Sequence, residues 1–327
     1  MPLQSKSEIL EILQLPYQEY LDTVAPASRR LHRKQNSNVL TVTSMLGYSN
    51  VCKNQCLYCG MRAGNNTIPR YRKTPEEILT LLKSAHAAGL RRLFLISGED
   101  PKFGFDSLLS VVSEAKKLGM TWVSLACGEY DSSQYQELRA AGADEYVMKF
   151  EMSQPEVFNH LNPSTNFQKR MRAIEAIQAS GMALASGNIV DYPGQTLTQI
   201  AEDIHLMQAL KISWAPVIPY MPAKNTPLAE GAYPGRQELI LKEISILRLS
   251  MPDVRITAQQ PGSKPEEGLA SREGNLAALE AGADLLFADL LPAAQAQDFH
   301  VIDNRILLGL DHVRAIAETS GMTLRLT

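Results

Sequence analysis

The sequence predicts an α/β fold: a (β/α)8 TIM barrel with an N-terminal helical segment and a C-terminal tail. Three observations predict it. A helix, a glycine and a short apolar run recur five times; eight apolar runs of strand length can be counted; and helical segments separate them throughout. The repeat is plainest in AHAAGLRRLFLIS, where Gly89 follows an Ala-rich helical stretch and precedes the run Leu93 to Ile96. A glycine suits a helix C-terminus because the residue there often takes positive φ. The device returns at Gly119 before TWVSL, Gly142 before EYVM, Gly181 before ALAS and Gly282 before DLLF.

In chain order, residues 1–37 read as a helical extension, with Ser5 and Glu8 spaced as a capping box. The strands follow as VLTVTS at 39–44, runs beginning near 92, 121, 145 and 183, WAPVIP at 214–219, VRITA at 254–258 and a last run near 284. Each is short and apolar, as strands covered on both faces should be. Strict alternation implies a parallel sheet, and eight units over about 250 residues suggest closure at residues 38–290. An open doubly wound sheet is the competing arrangement and would not require the eighth unit. Residues 291–327 read as a helical tail packed on the barrel, with a helix near GLDHVRAIAETSG.

Composition narrows the class. The 327 residues are 45% hydrophobic and 20% charged, which excludes disordered and fibrous chains. Thirty-two basic residues against 35 acidic ones leave a charge of -3, so no overall field favours nucleic acid or an anionic membrane. The basic run Arg29, Arg30, His32, Arg33, Lys34 reads as a solvated helix end. No apolar run reaches the ~18 residues of a membrane span, and the N-terminus lacks the pattern of a signal peptide, so the expectation is a cytoplasmic protein.

Barrel chemistry sits at the C-terminal ends of the strands, and those ends are polar here. They offer Ser97, Gly98 and Glu99 after the second strand, and Cys127, Gly128 and Glu129 after the third. Lys149 and Glu151 follow the fourth, Asn188 the fifth, Tyr220 the sixth, and Gln259 and Gln260 the seventh. All are expected to point into one mouth. Any single carboxylate could equally be a rim salt bridge or a helix cap. Cys127 reads as a small buried residue and is also the candidate for a catalytic thiol. After the first strand comes Cys52-Lys-Asn-Gln-Cys56-Leu-Tyr-Cys59. Three clustered cysteines cannot pair evenly in disulfides, and structural zinc wants a fourth ligand that is absent nearby. Three thiolates can instead hold three irons of a [4Fe-4S] cluster, leaving the fourth open to another ligand.

With Tyr58 immediately before its last cysteine, this C-x3-C-x2-C loop resembles the signature of the radical S-adenosylmethionine (SAM) enzymes. The resemblance implies a [4Fe-4S] cluster on Cys52, Cys56 and Cys59, SAM chelated to the open iron, and its reductive cleavage to a 5′-deoxyadenosyl radical that abstracts hydrogen from a small substrate. It also implies a reducing partner such as flavodoxin or ferredoxin. Within that family the chain is similar to the group of biotin synthase, the [FeFe]-hydrogenase maturase and methylornithine synthase, through CLYCGMR, RYRKTPEEIL and SGEDP. There Ser97, Gly98 and Glu99 stand in for a GGE-like motif facing the SAM ammonium. Glu151 and Arg170 match a pair contacting the ribose, ammonium and carboxylate of SAM, and Gly187, Asn188 and Ile189 match the segment passing the adenine.

The chain departs from the group at Asp191, where the maturase pattern has glycine, and at Lys149, Ser213 and the run Gln259, Gln260, Pro261. Lys149, Tyr220, Gln259 and Gln260 are therefore the candidate substrate contacts, suited to an amino-acid-like molecule. Hydrogen abstraction followed by rearrangement or fragmentation is the expected reaction. Sulfur insertion would need a second cluster that Cys127 alone could not ligate. The alternative is a non-catalytic iron–sulfur or metal-binding scaffold.

Overall fold

The computed structural model describes residues 5–303, 305–306 and 308–327. Eight parallel strands form the barrel: β1 Val39–Ser49, β2 Arg92–Ser97, β3 Trp122–Ala126, β4 Glu145–Val147, β5 Ala183–Ala185, β6 Trp214–Ala215, β7 Arg255–Ile256 and β8 Leu285–Asp289. Their order runs β8, β1, β2 and onward to β7, and a parallel bridge from Thr257 to Leu285 brings β7 back beside β8. The eighth unit thus closes a barrel. All five glycines of the repeat have positive φ, between 82° and 111°.

Alternation along the strands divides the side chains into two sets. Those facing outward, such as Leu46, Leu93, Leu95, Tyr146 and Leu286, pack with the surrounding helices into the main core. Those facing inward include Met45, Phe94, Val147, Trp214 and Phe287, which form a separate cluster inside the barrel. Its centre is an aromatic trio. Phe94 lies edge-on to Trp214 at 5.1 Å and stacks with Phe287 at 5.5 Å, and Trp214 meets Phe287 edge-on at 5.5 Å. The trio plugs the interior at mid-height and leaves space above and below it.

The structure differs from expectation at three places outside the mouth. The run 214–219 is two strands: Trp214–Ala215 belongs to the barrel, whereas Ile218–Pro219 pairs with Ile189–Val190 in a separate small sheet. Pro216, between them, has no N–H to continue the ladder. The tail carries a strand as well as its helix Leu310–Ser320, since Thr323–Arg325 pairs parallel with the start of β1. The basic run is split. Arg30, Arg33 and Lys34 are exposed, but Arg29 and His32 are 3% and 0% exposed, on the same helical face as Ala25 and Ser28. Burial, then the charges of Arg248 and Arg29, push the His32 imidazole down to about 3.

The N-terminal helices Lys6–Gln14 and Tyr17–Asn36 lie against the helices Leu197–Leu210 and Gln237–Ser250. Ser5 and Glu8 form the expected capping box. The Lys242 ammonium donates to the carbonyls of Leu13 and Leu15 at 3.1 and 2.6 Å, and Tyr20 Oη donates to the Leu241 carbonyl at 2.8 Å. The two bonds from Lys242 satisfy the C-terminal end of the first helix, which would otherwise be buried with open carbonyls. No helix among the described residues is long and apolar enough to cross a membrane.

Candidate active site

The loop after β1 has no regular secondary structure, yet its backbone is latched from all sides. Lys53 N donates to Glu99 O at 3.0 Å, Leu57 N to Leu161 O at 2.9 Å and Gly60 N to Val301 O at 2.9 Å. The Arg70 guanidinium holds four carbonyls at once, those of Asn50, Met61, Arg62 and Asn65, at 2.7 to 2.8 Å. Asn50 ties the same segment to Pro69, Tyr71 and Asp298. Five donors in a rigid fork make arginine suited to such a clamp.

The turn after β2 packs directly beneath. A Cβ on Gly98 would lie 2.3 Å from Val51 O and 2.8 Å from Cys52 Cβ, so only glycine lets the turn approach the cysteine loop. Gly128, with φ of 106°, plays the matching part for Glu99, whose Cγ would be 2.4 Å from a Cβ there. The Glu99 carboxylate is thereby laid across the turn, where it meets Lys53 Nζ at 2.6 Å and Asn54 Nδ2 at 2.8 Å.

These segments enclose a cavity of about 350 Å³ above the aromatic trio. One wall is polar and carries Cys52, Cys56, Tyr58, Cys59, Ser97, Gly98, Glu99, Glu129, Lys149, Glu151, Arg170 and Ile189. The facing wall is the apolar interior cluster, with Thr257, Gln259 and Arg305 as its polar members. All three cysteines of the loop are unpaired. Burial raises all three thiols, Cys56 to about 12, so a bound cation is needed to hold them as thiolates. Tyr58 is wedged by a hydrogen bond from its hydroxyl to Asn162 Oδ1 at 2.7 Å.

Across from the cysteines, Arg170 projects from the helix Phe167–Ala179. It pairs with Glu129 at 2.8 Å, donates to the Lys149 carbonyl and lies over the Phe158 ring at 5.2 Å. Burial opposes ionisation of Glu129, but the Arg170 charge and bonds from Arg170, Lys169 and Thr165 hold it below the usual carboxylate range. Lys149 pairs with Glu151 at 3.0 Å. Glu151 itself has φ of 60°, a left-handed backbone rare outside glycine, fixed by bonds to Gly187 O and from Ile189 N. Strain of this kind collects at functional sites.

Three of the expected mouth residues lie elsewhere. Cys127 is buried in the outer core, its thiol against Tyr48 and Ser97, because the neighbours on either side of it, Ala126 and Gly128, take the inward positions. Asn188 points away from the cavity, with Nδ2 donating to Asp203 and Glu243 at 3.3 Å. Gln260 spends its amide on Val217 O and Thr257 O. A one-residue change of phase moves a side chain to the opposite face of a strand, and strand ends are where phase is lost. Tyr220 does line the cavity, but its hydroxyl donates to Leu228 O at 3.0 Å. Ser213 lies at the opposite end of the barrel.

Asp191 has φ of 61°, and its carboxylate grips Arg236 through Nε at 2.9 Å and Nη2 at 3.0 Å. A glycine at that position in relatives would serve the same backbone. The strand ends offer Glu129 without disclosing its pairing with Arg170, and they do not offer Arg70 or Arg305. Arg70 stood inside the quoted RYRKTPEEIL, and Glu129 directly follows the third strand. Arg305 comes from the tail and carries no local signal.

Among the described residues no group of three His, Cys, Asp or Glu side chains closes around a single metal ion. A cubane asks for something else, since each thiolate binds its own iron. Three unpaired thiols on one latched loop, bordering a cavity with carboxylates and an arginine opposite, form a donor set that fits such a cluster. Residues 46–207 match the family described as the Radical SAM superfamily. The chain carries a radical SAM domain.

Members of this superfamily use a [4Fe-4S] cluster and SAM. Over 302 residues the radical SAM chain is 28% identical to the [FeFe] hydrogenase maturase subunit HydE of Thermotoga maritima, covering 92% of this chain and 85% of the maturase. It is 27% identical to 3-methylornithine synthase of Methanosarcina barkeri, covering 89% and 81%. The crystal structure of a methylornithine synthase superposes with a TM-score of 0.85 at 24% identity, over 99% of this chain and 95% of that one, which shows the shared fold.

Proposed function

We propose that this radical SAM enzyme abstracts hydrogen from a small amino-acid-like substrate held between the two walls of the upper cavity, and that rearrangement or fragmentation follows. One observation carries the reading. The polar wall with its three thiols faces an apolar wall in which two buried polar atoms, Gln259 Oε1 and Arg305 Nη1, have no hydrogen-bond partner. An unpartnered guanidinium nitrogen suits a substrate carboxylate, and an unpartnered amide oxygen suits an ammonium or hydroxyl.

On this reading Cys52, Cys56 and Cys59 hold the cluster. Ser97, Gly98 and Glu99 face the amino group of SAM, Glu151 and Arg170 its ribose and carboxylate, Tyr58 backs the cluster, and Ile189 borders the adenine. Bound there, the cluster and SAM supply a 5′-deoxyadenosyl radical after one-electron reduction by a partner such as flavodoxin or ferredoxin. The chain itself orients both ligands and keeps competing reductants out with Phe94, Trp214 and Phe287. Lys149, through its pair with Glu151, joins the SAM side to the substrate side. Because Cys127 lies outside the cavity, no further thiol is on hand to ligate a second cluster, which supports chemistry other than sulfur insertion.

The test is anaerobic reconstitution with reductant and SAM, reading 5′-deoxyadenosine with and without a panel of amino acids. At least one amino acid should accelerate its formation, and Arg305→Gln should abolish the acceleration while sparing SAM binding. A loaded, reduced protein that binds SAM yet never yields 5′-deoxyadenosine would overturn the enzyme reading.

A further inference from the structure

A second cavity, of about 640 Å³, lies below the aromatic trio at the N-terminal ends of the strands. In barrels of this kind that end usually serves stability. Here four cations line it: Arg92, Lys211, Arg255 and Arg325. Strand register brings three of them to this end of the barrel. Arg92 opens β2 beside Trp122, Arg255 sits beside Trp214 on β6, and Arg325 sits beside Thr41 on β1. The guanidinium carbons of Arg92 and Arg255 lie 4.9 and 5.2 Å from the centre of the Trp122 ring.

Of the nearby acids, Glu145 and Asp284 are committed, and Asp253 lies exposed on the chamber wall. The buried Glu145 pairs with Arg255 and also accepts from Ser124 Oγ at 2.7 Å, Ser213 Oγ at 2.5 Å and Trp122 Nε1 at 3.3 Å. Asp284 is engaged by Arg248 at 3.0 Å and stands 3.7 Å from His32. Among the described residues no ion pair joins Arg92, Lys211 or Arg325 to an acid, and the buried Arg92 Nε has no hydrogen-bond partner. Burial and the neighbouring charges of Arg255 and Arg325 lower the Arg92 guanidinium to about 10. Crowded like charges are a cost that the barrel walls impose and that an anion would turn into a gain.

We propose that this lower chamber binds a tetrahedral oxyanion, inorganic phosphate or the phosphoryl group of a small metabolite. Cations converge from strands on different sides of the barrel, so several oxygens must be met from several directions, which a planar carboxylate does less well. The indole is already covered by guanidinium groups, so a stacked nucleobase is not the complement. Exposed Lys211 and Arg325 at the rim lead inward to Arg92 and Arg255.

The experiment titrates inorganic phosphate into the cluster-loaded protein, anaerobically and at ionic strength held constant with chloride, following Tm and 31P line width. A saturable rise in Tm with an apparent Kd of about 1 mM or tighter is expected. Arg92→Gln with Arg325→Gln should weaken it at least tenfold, and the exposed Arg325→Gln alone should weaken it measurably if the double variant folds poorly. Arg305→Gln, in the upper cavity, should leave it unchanged. Glycerol phosphate serves as the second probe: tighter binding than inorganic phosphate identifies a phosphoryl metabolite as the occupant, and weaker binding identifies the free ion. No saturable response to either probe, an equal response to citrate, or a response untouched in the double variant would overturn the proposal.

Discussion

On the polar wall above the aromatic trio, the charges come in pairs: Lys53 with Glu99, Lys149 with Glu151, and Arg170 with Glu129. Below it, Arg255 has Glu145, while among the described residues Arg92, Lys211 and Arg325 form no ion pair, although Asp253 and Asp284 share the chamber wall. The two ends also differ in origin. Apart from the helical Arg170, the upper set hangs from loops and turns beyond the strands, whereas much of the lower set consists of the first residues of strands. A paired set can exchange partners with the zwitterionic amino-acid end of SAM, which brings an ammonium and a carboxylate of its own. An unpaired cationic set can be satisfied only by an anion. One barrel thus carries two kinds of binding surface, insulated by three rings.

The largest expected effect tests the upper end alone. Cys56→Ala should reduce 5′-deoxyadenosine formation by about 10³-fold or more, because one iron of the cluster loses its ligand. The lower-end variant Arg92→Gln should leave it within about twofold of wild type. A Cys56→Ala protein that still cleaves SAM would break the assignment of the loop.

The next tests the insulation. Phe287→Ala removes one ring of the trio and should cost about 3 kcal/mol in denaturant unfolding, somewhat relieved because the cavity above already borders the ring. In this variant, phosphate affinity should depend on whether SAM is bound, as it should not in the wild type. Independent titrations in both proteins would show that the trio is not the divider.

Arg170→Lys probes pairing. Lysine keeps the charge but cannot serve Glu129 and the Lys149 carbonyl in one plane, so SAM affinity should fall about 10- to 100-fold by equilibrium dialysis, with unfolding stability altered less. An unchanged affinity would mean that the charge matters and the fork does not.

How much of this the sequence discloses follows from how local each feature is. The repeat of helix, glycine and strand is written within about a dozen residues and marks five of the barrel strands, the closing one included, while short apolar runs mark the other three. The cysteine loop is readable for the same reason. Inward and outward at a strand end is a one-residue matter, and there Asn188 and Gln260 turn away from the mouth, while Cys127 is the small buried residue and not the thiol of the mouth. The helical period of Ala25, Ser28, Arg29 and His32 was present in the sequence, but the charge run obscured it. Arg305 reaches the cavity from the tail, and the cationic cluster below depends on contacts between distant strands. Neither has a pattern within any window of sequence.

The smallest effect concerns the wall behind the upper cavity, where Asn188 turned outward. Its amide lies between Asp203 and Glu243, 3.3 Å from each. Burial pushes Asp203 up to about 6 and Glu243 up to about 8, and Glu243 Oε1 is buried without a hydrogen-bond partner. Glu243 is therefore neutral in the fold over a range where the unfolded chain ionises it, so the folded state holds the extra proton. Its contribution to stability is complete below about pH 4.5 and is lost as pH rises through about 8. Glu243→Gln keeps an acceptor for Asn188 and cannot ionise. Between pH 5 and 8.5, Tm should fall by a few degrees more in the wild type than in the variant, with the two nearly equal at pH 5 and the variant more stable at pH 8.5. Parallel curves would mean that water reaches Glu243, and that the outer wall of the upper chamber is wetter than its packing indicates.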